Sequence, residues 1–199
     1  MTVFTASRHP VLVEAFEHAA LRGTAGKIAL VAAGSLALTL SAKLAIPFYP
    51  VPMSFQTLVV LVLGVAFGPR LAVAAVLFYL MQGAAGLPVF AGSPERGVGL
   101  AYMTGPTGGF LVGFVFAAAT TGWLARRGWS RSVPGMALAM AAGTVALYVP
   151  GILWLGFLIG WDKPVLEYGL WPFLYGDALK LAIAAIAAPA AWRVVDRMR

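Results

Sequence analysis

Cysteine is missing altogether from this 199-residue chain. Its absence excludes disulfides, thiolate metal ligands and iron–sulfur clusters, and leaves no sign of redox compartment. Histidine is almost as scarce. His9 and His18 both fall in the N-terminal segment, so no imidazole is available for a metal cluster or a Ser/His/Asp set within the rest of the chain. The motif G-x-x-x-x-G-K-[ST] is absent, so ATP hydrolysis through a phosphate loop is not expected, and the glycines between Gly86 and Gly109 form no dinucleotide fingerprint. No catalytic or metal-binding residues are therefore assigned, and an enzyme is not expected. Charge is thin as well. Asp, Glu, Lys and Arg make up 11% of the residues, under half of the roughly one quarter usual in a soluble domain. Much of the surface must then face something other than water.

What fills the chain instead is apolar. Hydrophobic residues account for 61% and the mean hydropathy is +0.88, which points to an all-α integral membrane protein. A spanning helix needs about 20 mostly apolar residues. The first candidate runs from about Lys27 to Ile46 and stops at Pro47, Pro50 and Pro52. Two short stretches, about Ser54 to Phe67 and Leu71 to Ala85, flank the turn Gly68-Pro69-Arg70 and are read as a tight helical hairpin. A Gly/Pro-rich segment, about Gly86 to Pro106, is too rich in breakers to be a helix. Three further spans follow, at about Thr107–Ala125, Pro134–Ile159 and Trp171–Val195. Six transmembrane helices in residues 27–199 result.

Residues 1–26 differ in kind. Val11, Leu12, Ala15, Phe16 and Ala19 recur at helical spacing, with Glu14, Glu17, His18 and Arg22 opposite them. This pattern suits an amphipathic helix lying on the membrane surface; an unstructured tail is the alternative. No secretory signal pattern is recognised here, so targeting is expected to come from the first span. The net charge of +7 does not mark a nucleic-acid surface once the charges are placed. If both termini are cytoplasmic, Arg8, Arg22, Lys27, Arg70, Arg126, Arg127, Arg131, Arg193, Arg197 and Arg199 lie inside, against Lys43, Arg96 and Lys163 outside. That asymmetry sets the orientation by the positive-inside rule. No internal repeat is evident, which counts against an inverted-repeat transporter.

One charged pair lies within a span. Asp177 and Lys180 sit on the last helix, with Asp177 roughly 9 Å below the Trp171 end, and at i, i+3 they share a face. An ionisable group at that depth costs about 2.5–3.5 kcal/mol on the insertion scale. Each should face the bundle interior with a partner. Either the two simply neutralise one another, or they meet a polar ligand inside an apolar bundle. Tyr175 is a further candidate for the same pocket. Lys43, near the outer end of the first span, is expected to snorkel to the interface, and Glu95 and Arg96 to be solvated in the outer loop. Ala29, Ala33, Ala37 and Ser41 recur at i+4 spacing on the first span. Small residues so arranged allow close helix approach, within the bundle or against another membrane subunit.

Three stretches carry a resemblance. Val51-Pro-Met-Ser-Phe-Gln-Thr57 leads into Leu63-Gly-Val-Ala-Phe-Gly-Pro-Arg70; Gly86-Leu-Pro-Val-Phe-Ala-Gly92 opens the long loop and Thr104-Gly-Pro-Thr-Gly-Gly-Phe110 closes it. Together, over roughly residues 27 to 195, they resemble the BioY family, the biotin-specific S components of energy-coupling-factor (ECF) transporters. The resemblance implies a six-helix bundle in the bacterial cytoplasmic (inner) membrane that captures biotin from outside. It implies no cofactor, biotin being the transported ligand. It implies a transmembrane coupling subunit and a pair of ABC-type ATPases as partners, and reorientation of the loaded subunit to release the vitamin inside. The family's docking stripe maps onto Ala29, Ala33 and Ala37, and its acidic and basic ligand residues onto Asp177 and Lys180. A carboxylate can accept the ureido N–H groups and an ammonium can pair with the valerate carboxylate. Where family members place a polar loop side chain on the ureido group, this chain offers loop backbone, Ser93 or Tyr102. An S component for another vitamin, or a membrane scaffold without a ligand, are the competing readings.

Overall fold

Proline and glycine decide where the apolar stretches turn. The computed structural model describes residues 9–15, 23–46 and 49–197. A single helical turn, α1 (Leu12–Ala15), precedes the first long helix, α2 (Thr24–Lys43). Beyond α2 the proline-rich stretch closes into a small antiparallel ribbon, β1 (Ala45–Ile46) and β2 (Met53–Ser54), with Ala45 opposite Ser54 and Ile46 opposite Met53. Then come α3 (Gln56–Ala84), the short α4 (Gly99–Met103), α5 (Gly108–Ala125), a 3-10 turn at Trp129–Arg131, α6 (Val133–Ile159), the short α7 (Val165–Gly169) and α8 (Trp171–Arg197).

Five stretches of the described chain are long and apolar enough to cross a membrane, and one of them does so twice. Within α3, Gly68 takes φ 75° and ψ 171°, a left-handed region open in practice only to glycine. The next residue, Pro69, supplies no N–H to the helix ladder. The consequence is visible at the far end: the Gln56 side-chain amide donates to the Tyr79 hydroxyl at 2.6 Å. In a straight helix those residues would stand roughly 35 Å apart. α3 is therefore two antiparallel halves, Gln56–Phe67 and Pro69–Ala84, in accord with the short hairpin expected from the sequence. Six crossings result, and the chain enters and leaves the bundle on one side.

Small residues let these helices approach. A methyl group on Gly64 would collide with Thr121 on α5, and one on Gly143 of α6 would collide with the same threonine from the other side. Gly122 lies against the Gly68–Pro69 turn. The outer surface is greasy instead of charged, with Leu40, Leu138, Val145, Phe157 and Ile186 all exposed. Such a surface is stable in hydrocarbon, where close packing and buried polar contacts, not water exclusion, hold helices together.

The basic residues of the α3 turn, the α5–α6 connection and the end of α8 gather at one end, where Arg131 stacks over Trp192 at 4.3 Å. The ribbon and the long loop of residues 85–107 form the other. Two expectations bear on this end. The first span begins at Thr24, so a boundary after residue 26 falls inside α2. The expected surface helix over Val11–Ala19 lies partly outside the described residues, and the part that is described packs against the bundle. Val11 is wholly buried beside Gly68, the His9 amide donates to the Arg126 carbonyl at 2.9 Å, and Glu14 pairs with Arg126.

Candidate functional site

The inward face of α8 reads Phe173, Asp177, Lys180, Ala184 and Ala185, all buried. It meets the start of α3, the ribbon, α5 and α6 around a small cavity of about 40 Å³, well under the roughly 300–1,000 Å³ that ligand sites typically enclose. Phe110, Phe114, Leu147 and Phe173 supply an apolar wall, Val51 to Ser54 of the ribbon side and Ala91 of the long loop cover it, and Gln56, Thr57, Tyr148, Asp177 and Lys180 provide its polar atoms.

Asp177 and Lys180 form an ion pair at 2.9 Å with both side chains about nine-tenths buried. The Thr57 hydroxyl donates to Asp177 Oδ1 at 3.0 Å, and the Tyr148 hydroxyl donates to Oδ2 at 2.7 Å. Lys180 Nζ also donates to the Ser54 carbonyl at 2.8 Å and to Thr57 Oγ1 at 3.1 Å. All three ammonium protons thus have acceptors, while the carboxylate, with room for about four hydrogen bonds, accepts three. Isolated, either charge would be costly in this setting; paired and hydrogen-bonded, they form a neutral unit. The pair is thus neutralised internally, and it also borders the cavity.

The expected division of labour, Asp177 on a ureido group and Lys180 on a carboxylate, meets a pair whose groups stand 2.9 Å apart and border the same part of the cavity. Tyr175 is corrected: it is 87% exposed on the outside of α8. Two residues along a helix is about 200° of rotation, so it points away from Asp177. Ser93 and Tyr102 are buried but stand behind the wall. The Ser93 hydroxyl donates to the Phe90 carbonyl at 2.7 Å and that of Tyr102 to the Ala91 carbonyl at 2.7 Å. Burial pushes the Tyr102 hydroxyl above its ordinary pKa, keeping it a donor. The alanine stripe is open: Ala29 and Ala33 are exposed and Ala37 half-buried, whereas Ser41 turns inward. Arg96 donates to the Pro50 carbonyl at 3.3 Å and so ties the loop to the ribbon side.

Residues that sequence reasoning missed complete the site. Tyr148 carries no signal in isolation, because hydroxyls are common in membrane helices, and Gln56 and Thr57 stood out only as part of the stretch that carries the resemblance; the fold aims Tyr148 and Thr57 at Asp177 and sets Gln56 on the cavity.

Comparison with known proteins follows the same lines. The sequence model of the BioY family matches residues 14–197, a wider span than the motifs alone indicate. A "Biotin transporter BioY" of Rhizobium etli is 39% identical over 165 residues, covering 79% of this chain and 87% of the relative. A "Probable biotin transporter BioY" of Pyrococcus horikoshii is 32% identical over 164 residues, covering 82% and 94%. A crystal structure of the S-component for biotin from an ECF-type ABC transporter shares the fold, with a TM-score of 0.68 at 21% identity over 84% of this chain and 90% of that one. On the family match and these identities, the chain belongs to the BioY family.

Proposed function

We propose that this multi-pass membrane protein is the biotin-binding S subunit of an ECF-type uptake transporter. The observation that carries the reading is the buried Asp177–Lys180 pair on the wall of an otherwise apolar cavity at the end opposite the basic residues. A ureido edge sets an N–H donor beside a carbonyl acceptor. The Asp177 carboxylate, with one acceptor position spare, takes the first, and the Lys180 ammonium takes the second by exchanging one of its three present acceptors, while Phe110, Phe114, Leu147 and Phe173 receive the thiophane ring and alkyl chain. The names of the relatives as biotin transporters support the choice of ligand.

The basic end faces the cytoplasm of a bacterial inner membrane, by the positive-inside rule, so the cavity opens outward. The exposed Ala29–Ala33 stripe is the surface for a transmembrane coupling subunit, and paired ATPases in separate chains supply the energy. Titration of the purified chain with radiolabelled biotin tests the reading. Saturable binding, competed by unlabelled biotin and not by other vitamins, is expected. Saturation by another vitamin instead would move the assignment, and no saturable ligand at all would leave a scaffold.

A further inference from the structure

The long loop presents a problem of burial. Residues 87–93 are neither helix nor strand, yet Val89, Phe90, Ala91 and Ser93 are buried. Irregular backbone there is tolerated only where protein satisfies its carbonyls. Side chains from outside the segment supply most of the donors. Lys43 Nζ, at the end of α2, donates to the Pro88 carbonyl at 2.7 Å, the Ser93 carbonyl at 2.9 Å and the Phe90 carbonyl at 3.3 Å, and lies 3.3 Å from Ser93 Oγ. Tyr79 donates to the Val89 carbonyl at 3.2 Å and Tyr102 to that of Ala91.

Lys43 therefore does something the snorkelling expectation did not include. An ammonium is a compact charge with three donors, and here it gathers carbonyls from both ends of the buried segment. Between those carbonyls the chain presents Ala91 to the cavity and seats Phe90 on Gly83, where no side-chain carbon would fit, stacked on Tyr102 at 4.8 Å. Tyr79, which holds the middle of the segment, is in turn held by Gln56 of the cavity wall.

We propose that Lys43 is a positioning residue for ligand retention: it clasps segment 88–93 as a fixed wall over the cavity and so sets how slowly bound ligand escapes. The proposal rests on the reading of the cavity as a biotin site. It requires the clasp to act on kinetics, with Asp177 and Lys180 untouched.

The test uses the full chain in lipid nanodiscs. Biotin dissociation is followed by chase of radiolabelled ligand in the unaltered chain and in Lys43→Met, with binding stoichiometry measured alongside. Amide hydrogen exchange over residues 87–97 reports the loop itself. Lys43→Met is expected to retain full stoichiometry while releasing biotin about tenfold faster or more, the scale of losing a charge-assisted clamp, with faster exchange in the loop. Lys43→Arg, which keeps charge and donors, should restore most of the retention. Should Lys43→Met fail to fold, Tyr102→Phe, which removes one loop hydrogen bond and keeps the ring, must show the same acceleration in lesser degree. Unchanged dissociation in Lys43→Met, or in Tyr102→Phe where that variant stands in, overturns the proposal even if loop exchange rises. Failure of the unaltered chain to bind biotin overturns the reading of the cavity, and this proposal with it.

Discussion

Replacing Lys180 with methionine tests whether the buried pair is an energetic unit. Met keeps most of the stem and removes the ammonium, so the bonds to Asp177 Oδ1, Thr57 Oγ1 and the Ser54 carbonyl all vanish. Asp177 would then stand as a buried charge with only the Thr57 and Tyr148 hydroxyls as donors. Breaking one side of such a pair typically costs about 3–5 kcal/mol. The two surviving charge-assisted bonds, each worth about 1.5–3 kcal/mol, place the expected loss near the lower end. Adding Asp177→Asn removes the orphaned charge, so the double variant should be more stable than Lys180→Met by about 2 kcal/mol, although neither binds biotin. The assay is unfolding of the ligand-free chain in mixed micelles, with helical signal read against denaturant and the four proteins compared as a double-mutant cycle. Additivity of the two single changes to within about 0.5 kcal/mol would refute the claim that the groups are coupled.

Three further outcomes are expected. Gly64→Ala adds a methyl that collides with Thr121 at the α3–α5 contact, and should lower stability by about 1–3 kcal/mol in the same unfolding assay; no change would mean the helices do not approach this closely. Ala33→Trp, on the exposed stripe of α2, should leave biotin binding by the isolated chain intact yet abolish co-purification with the coupling subunit. Glu14→Gln breaks a half-exposed pair with Arg126, so global stability should move by no more than about 1 kcal/mol. Hydrogen exchange over residues 9–15 should nevertheless rise, because the segment loses its ionic tie.

The legible parts of this fold were those that composition alone enforces. Apolar length located the crossings, and Gly68-Pro69 announced the hairpin because no other residue pair stops a helix so abruptly. Asp177 and Lys180 stood out because charge is rare in hydrocarbon. Tyr175 was misplaced because adjacency in sequence was allowed to stand for adjacency in space, against helical phase. The ribbon was hidden by prolines that forbid helix without specifying what replaces it. Lys43 was undervalued for a deeper reason: its acceptors are main-chain carbonyls, which every residue possesses and no sequence pattern marks. Tyr148 was invisible in the same way, and Thr57 was visible only as part of a motif, since their meaning comes from a carboxylate 29 and 120 residues further along.

The single-residue turn at Gly68 also fixes a thickness. Its two halves reach only roughly 18 Å and 24 Å, against a hydrocarbon core of about 30 Å. The Val11 and Arg126 side chains close one end of that shortfall, and the loop and ribbon close the other. Leu77, Phe78 and Met81 are exposed on this short hairpin, and a bilayer matched to it has to thin locally. Each ångström of thinning costs a fraction of a kcal/mol. Lipids with shorter tails relieve that tension, and the molecule's preferred tilt will follow the thickness of the membrane around it.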